Sequence, residues 1–197
     1  MEKYIIDGGN ELHGDVEISG MKNAELPILI ACILTKDTCI VENLPRISDV
    51  RKSLDILEAM GAAVERDDET SSVKINTENV KGGISPYELV SKMRGSTYLI
   101  GAELARFGKA KVGWPGGCDF GVRPIDQHIK GFEALGAKVT VDTDAGYIYA
   151  EAPNGLHGNS VYFDVVSVGA TVNVMIAAVL AKGKTVIDNA AREPHIV

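Results

Sequence analysis

Residues 114–124, WPGGCDFGVRP, put a thiol, a guanidinium and a helix-compatible proline on one glycine-rich loop. Gly116, Gly117 and Gly121 let that backbone move and approach a ligand closely. Cys118 stands in the middle, Arg123 follows five residues later, and Pro124 suits the first position of a helix. A cysteine close to an arginine and a helix N-terminus gains thiolate character. Such a group serves as general acid or as nucleophile. A surface loop with an unreactive free cysteine has the same composition, so the loop alone leaves both readings open.

A second set of residues recurs at one point of a repeating unit. Helices are expected to start near Lys22-Asn23, near Arg94-Gly95-Ser96 and near Ser167-Val168-Gly169-Ala170. Helix N-termini carry free N–H groups and a partial positive charge, which suits anions. Lys22 and Arg94 add full charges at two of these junctions. If a threefold axis relates the units, the three starts converge and fit a phosphate-bearing ligand. Taken singly, each cation reads as an ordinary solvated side chain.

The unit itself is visible as self-similarity. LEAMGAAV at residues 57–64 returns as FEALGAKV at residues 132–139, 75 positions later. In both, an apolar helix face runs to a glycine and then into a strand. Helix, lysine turn and strand follow one another at residues 23–34, 35–37 and 38–41, at 95–106, 107–109 and 110–112, and at 169–181, 182–184 and 185–187. Pro45, Pro124 and Pro194 come after these strands. Second helices are expected over residues 48–60 and 125–135, and strand pairs within 63–75 and 138–150. The unit is strand, helix, strand, helix, strand pair, roughly 70 to 75 residues long. Such units bury their apolar faces by packing on one another. The third stops at residues 192–197, where the first two begin their second helix, so a truncated chain is expected.

The chain has 197 residues, 45% of them hydrophobic, and a net charge of −7. No basic field points to nucleic acid. Three cysteines, Cys32, Cys39 and Cys118, without tight spacing argue against a disulfide framework and for a reducing compartment. The N-terminus lacks a signal pattern, and the longest uncharged run, residues 165–181, is short for a bilayer. A cytoplasmic protein without a membrane partner is expected. His13, His128, His157 and His195 lack metal-ligand spacing, so no metal site is expected. Residues 142–146, DTDAG, and residues 67–69, DDE, read as turns. Cys32 and Cys39 lie on apolar stretches and read as inert core thiols.

Three stretches, PGGCDFGVRPID, GMKNAELPIL and VSVGAT, closely resemble the UDP-N-acetylglucosamine 1-carboxyvinyltransferases, which are enolpyruvyl transferases. The resemblance runs from about residue 4 to residue 197 and corresponds to the N-terminal part of that family. It implies an inside-out α/β barrel domain of repeated βαβαββ units with pseudo-threefold symmetry, helices inside and sheets outside, the third unit being incomplete. Residues 1–20 would then be strands belonging to the other domain's sheet, and residues 21–197 the three repeats, about 21–80, 81–152 and a truncated 153–197. The implied reaction moves the enolpyruvyl group of phosphoenolpyruvate to the 3′-hydroxyl of UDP-N-acetylglucosamine and releases phosphate. In the family this opens peptidoglycan synthesis and so serves cell-wall formation, cell shape and division.

The resemblance also implies roles. Lys22 and Arg94 match cations on phosphoenolpyruvate, and Arg123 one near both substrates. Asn23 matches a contact to the sugar and reacting centre. Pro124, Ile125, Asp126 and His128 match the uracil-holding segment, and Ser167, Val168 and Gly169 the helix start that meets diphosphate and sugar. Cys118 matches the loop thiol discussed as general acid and as covalent-adduct site, which the epoxide fosfomycin alkylates. No cofactor is implied. The partners implied are UDP-N-acetylglucosamine, phosphoenolpyruvate and the family's C-terminal domain, which carries a catalytic aspartate and further arginines. Ser48, beside Asp49, and Val165, after Asp164, stand where the family can carry lysine, which implies less positive charge near the nucleotide. Alone, the chain is expected to show little or no turnover. Two rivals stand beside this reading: a relative acting on shikimate 3-phosphate, and a non-catalytic nucleotide-sugar-binding or interaction fragment.

Overall fold

The structure is a computed structural model that describes residues 3–83, 85–116 and 124–197. Helix α1 (Lys22–Ala31) runs on into a 3₁₀ turn, Cys32–Leu34, before strand β1 (Thr38–Val41). Helix α2 (Ser48–Ala59) buries Val50, Leu54 and Leu57, spaced four and three residues apart on one stripe. It leads to strands β2 (Ala63–Asp67) and β3 (Ser72–Asn76). After the short helix α3 (Tyr87–Val90) and a 3₁₀ turn, Arg94–Thr97, come α4 (Tyr98–Phe107) and β4 (Lys109–Gly113). Helix α5 (Asp126–Ala134) precedes β5 (Lys138–Asp142) and β6 (Tyr147–Glu151). The chain then forms β7 (Ser160–Tyr162), α6 (Val168–Ala178) and β8 (Val186–Asp188).

The 57–64 and 132–139 matches fold alike. Gly61 and Gly136 take φ of 105° and 93°, a left-handed conformation that costs other residues energy. At each, the following amide turns back to the helix: Ala62 N–H donates to the Leu57 carbonyl at 2.9 Å and Ala137 N–H to Phe132 at 3.0 Å. The strands that follow also match. β3 pairs antiparallel with both β1 and β2, and β6 with both β4 and β5. Asn76 faces Thr38 and Ala63, as Glu151 faces Lys109 and Lys138. β7 and β8 form a separate parallel pair.

Helix α4 is buried at every position from Leu99 to Leu104, so it lies inside the molecule and not on its surface. α1 and α6 both touch it and touch each other. The sheets bring one face each to this interior, with Val73 and Ile75 from β3, Ala110 and Val112 from β4, and Ile148 and Ala150 from β6. α4 and α6 pack closely at Gly101. A Cβ there would lie 2.4 Å from Asn173 Oδ1 and 2.5 Å from the Asn173 carbonyl oxygen.

Two expectations change. A leading strand precedes α6 as β7, but among the described residues none precedes α1 or α4. Before α4 the chain has glycines at 82 and 83 and then Pro86 at the start of α3, a pattern that breaks a strand. The helix expected over 169–181 stops at Ala178. Residues 3–19 carry no regular element and are exposed, Tyr4, Ile6, Leu12 and Val16 among them. No helix among the described residues is long and apolar enough to cross a membrane.

Because the α4–α6 contact has no room for a methyl group, Gly101→Ala is expected to cost roughly 2–3 kcal/mol of stability. Urea unfolding measures it, and an unchanged midpoint would contradict the close approach.

Candidate functional site

A cleft of about 640 Å³ opens where the first turns of five helical segments meet. α1 brings Lys22 and Asn23, and α2 brings Asp49 and Lys52. The 3₁₀ turn leading into α4 brings Arg94 and Gly95. α5 brings Asp126, Gln127 and His128, and α6 brings Ser167, Val168 and Gly169.

Four of these five starts have an apolar residue where a capping side chain would stand. Met21, Ile47, Met93 and Ile125 occupy the N-cap positions and make no side-chain cap bond. Forgoing a Ser, Thr, Asp or Asn cap costs about 1 kcal/mol per helix. Ser167 caps α6 by accepting from Ala170 N–H at 3.3 Å. The uncapped first turns leave amide donors and partial positive charge for a ligand.

Side-chain charge reinforces this field. Lys22, Lys52, Lys92 and Arg94 line the cleft against two carboxylates, Asp49 and Asp126. The Lys22 ammonium pairs with Asp49, and Lys52 Nζ lies 3.9 Å from the other Asp49 oxygen. An arriving anion thus meets a lysine already drawn to the start of α2. Gln127 ties α5 to the segment before α6. Its amide nitrogen donates to Asp126 at 2.9 Å and to Asp164 at 3.3 Å, and its oxygen accepts from Asp164 N–H at 2.9 Å. Lys130 reaches Asp164 at 2.7 Å, and with Gln127 it holds that carboxyl below its usual range.

His128 is 5% exposed and lies against the start of α6. A Cβ on Gly169 would sit 3.2 Å from His128 Nε2, so glycine there keeps that ring edge clear. Burial, helped by the nearby Arg94 charge and opposed by Asp126, lowers the imidazole pKa to about 4. The ring is therefore neutral at pH 7.

Of the residues singled out from sequence, Lys22, Asn23, Arg94, Pro124, Asp126, His128, Ser167, Val168 and Gly169 share this one cleft. Ile125 is buried behind it at the α5 N-cap. Cys118 and Arg123 lie outside the described residues. Asp49, Lys52, Lys92 and Gln127 were not picked out as ligand-facing, yet all line the wall. The repeat carried a signal for the first two: α2 opens its unit's second half just as α5 does. Cys32 is buried and free, its thiol pushed up to about 12 by burial first and by Cys39 next, which fits an inert core thiol. Among the described residues no cluster of His, Cys, Asp and Glu could hold a metal.

His128 gives the site a pH signature. The folded ring resists protonation down to about pH 4, while the unfolded ring takes a proton near 6.5. The unfolded chain therefore binds more protons in that window, and stability falls as pH drops through it. The loss amounts to about 3 kcal/mol when complete. His128→Gln is expected to remove this part of the pH dependence. Urea unfolding of both proteins at pH 7.5 and 4.5 measures the difference, and equal slopes with pH would contradict a buried neutral ring.

The sequence profile of the EPSP synthase (3-phosphoshikimate 1-carboxyvinyltransferase) family matches residues 6–197. The whole chain is 52% identical to UDP-N-acetylglucosamine 1-carboxyvinyltransferase 2 of Clostridium acetobutylicum and covers 46% of it. It is 50% identical to UDP-N-acetylglucosamine 1-carboxyvinyltransferase 2 of Listeria monocytogenes, covering 45%. The chain thus spans about half the length of the curated relatives it matches. Among solved structures, the enolpyruvyl transferase NikO from Streptomyces tendae superposes with a TM-score of 0.80 at 20% identity, over 96% of this chain and 44% of that one. EPSP synthase from Acinetobacter baumannii superposes at 0.72 and 17% identity, over 93% and 42%. The likeness in fold therefore extends to enolpyruvyl transferases of low sequence identity. With a family match over nearly its full length, the chain belongs to the EPSP synthase (3-phosphoshikimate 1-carboxyvinyltransferase) family of enolpyruvyl transferases.

Proposed function

We propose that this chain forms the nucleotide-sugar and phosphate wall of an enzyme that transfers the enolpyruvyl group of phosphoenolpyruvate to the 3′-hydroxyl of UDP-N-acetylglucosamine. The observation that carries the reading is the cleft of uncapped helix starts with four cations, in a chain about half identical to carboxyvinyltransferases of that name. In the reaction the sugar hydroxyl gives up its proton as its oxygen bonds C2 of phosphoenolpyruvate, and a proton is added at C3. The tetrahedral intermediate then loses inorganic phosphate, and the C2–C3 double bond re-forms as that proton equivalent leaves C3. Lys22 and Arg94, with Arg123, neutralise the carboxylate and phosphate as charge develops. Asn23 meets the sugar near the reacting centre. The segment from Pro124 to His128 holds the uracil, and the start of α6 holds diphosphate and sugar. Cys118 is assigned to the chemistry on C3 by the same resemblance.

The same proposal extends to the rest of the protein. The fold is read as the family's inside-out barrel of repeated units. Residues 3–19 serve as strands for a further domain, which accounts for their exposed apolar side chains. Peptidoglycan synthesis in the cytoplasm is the setting, and the 197 residues alone bind ligand without completing turnover. The name of the matching family, 3-phosphoshikimate 1-carboxyvinyltransferase, favours one other reading, in which shikimate 3-phosphate is the acceptor.

Calorimetric titration separates these. UDP-N-acetylglucosamine is expected to bind and shikimate 3-phosphate not to, and the reverse preference would overturn the nucleotide reading. Lys22→Ala is expected to weaken phosphoenolpyruvate ten- to a hundredfold, the worth of one charge-assisted contact. Phosphate release from phosphoenolpyruvate by the isolated chain at a normal enzymatic rate, read colorimetrically, would contradict the claim that it does not turn over.

A further inference from the structure

Asn173 is the least expected residue in the interior. It lies within α6, on an otherwise apolar run, and is fully buried. All its polar atoms are engaged, and the engagement admits one orientation. Gly101 N–H donates to Oδ1 at 3.1 Å, so that atom is the oxygen. The amide nitrogen donates to the Thr97 carbonyl at 2.8 Å. One amide hydrogen remains, and it meets His128 Nδ1 at 3.0 Å. A primary amide nitrogen donates and does not accept. His128 Nδ1 must therefore be the acceptor, and a neutral imidazole carries its single proton on the other nitrogen.

That other nitrogen, Nε2, is the edge that faces Gly169 in the first turn of α6, on the wall of the cleft. The charged groups that bear on the ring are Arg94, which opposes protonation, and Asp126, which favours it. With Nδ1 accepting from Asn173, the neutral ring's single proton stays on Nε2.

We propose that Asn173 is a positioning residue that locks His128 in the Nε2–H tautomer, so that the start of α6 offers a neutral hydrogen-bond donor to an acceptor oxygen of the bound ligand. The proposal rests on the nucleotide-sugar reading for the ligand, but the tautomer itself does not. It also assigns a selectivity: a carbonyl, hydroxyl or phosphate oxygen is accepted at this point, and an N–H group is rejected because two donors would face each other. Asn173 reaches no ligand. It acts through the ring, and it is held in turn by the close approach of α4 at Gly101.

Long-range proton–nitrogen correlation of the histidine rings in the ¹⁵N-labelled chain tests this, with His128 assigned by its loss in His128→Gln. At pH 7 the expected spectrum shows Nδ1 unprotonated and Nε2 protonated. Asn173→Asp puts a carboxylate oxygen where the amide donor was, so its ring is expected to carry a proton on Nδ1. The same variant is expected to bind UDP-N-acetylglucosamine about tenfold more weakly, one hydrogen bond's worth. An Nδ1–H ring in the unaltered chain overturns the proposal whether or not the variant folds. An Nε2–H ring in the unaltered chain that persists in a folded Asn173→Asp also overturns it, because Asn173 would then not set the tautomer. An Nε2–H ring that moves to Nδ1–H in Asn173→Asp but ignores UDP-N-acetylglucosamine supports the lock and overturns the nucleotide-sugar reading instead.

Discussion

Five helical segments begin at one cleft, and four of them begin without a capping side chain. That constraint shapes the rest of the molecule. Each missing cap costs stability locally, and each leaves backbone donors whose natural partner is an anion. A chain with a net charge of −7 cannot attract anions by its overall field. It can hold them where aligned backbone dipoles and a few cations act together over short distances. Lys22, Lys52, Lys92 and Arg94 all sit on those same first turns or beside them.

The interior is arranged to keep the helix starts in register. α1, α4 and α6 touch one another, and α4 is buried on all sides. Gly101 backs closely onto Asn173, whose amide reaches on to Thr97 and His128. One buried side chain thus links the α4–α6 packing, the entry into α4 and a ring on the cleft wall. Gln127 does the corresponding work nearer the surface, fixing the segment before α6 to the start of α5. Packing and site geometry share these residues, so a change made for stability at Gly101 or Asn173 is also a change to the cleft.

Much of this was legible beforehand, for identifiable reasons. The LEAMGAAV and FEALGAKV matches predicted paired helices and strands because a glycine in the left-handed conformation ends each helix, and Gly61 and Gly136 do so. The recurrence of helix starts at Lys22, Arg94 and Ser167 predicted that the three converge, because position within a repeat translates into position in space, and all three line one cleft. Asp49 was noted only as the neighbour of Ser48, and Lys52, one turn further along α2, carried no signal of its own. Asn173 was invisible for a different reason. A single amide in an apolar helix carries no local pattern, and its partners at Thr97, Gly101 and His128 are remote in sequence. The missing strand before α4 reflects Gly82, Gly83 and Pro86, which override the repeat's expectation locally.

The central claim is that uncapped helix starts receive the anion of the ligand. The most direct measurement is an amide-resolved NMR titration of the chain with UDP-N-acetylglucosamine. The account predicts that the largest shifts fall on first-turn amides, at Asn23, Gly95, Gln127 and Gly169. Shifts confined to the separate groove lined by Arg46, Arg51 and Arg66 would contradict it, as would a folded spectrum that the ligand leaves unchanged.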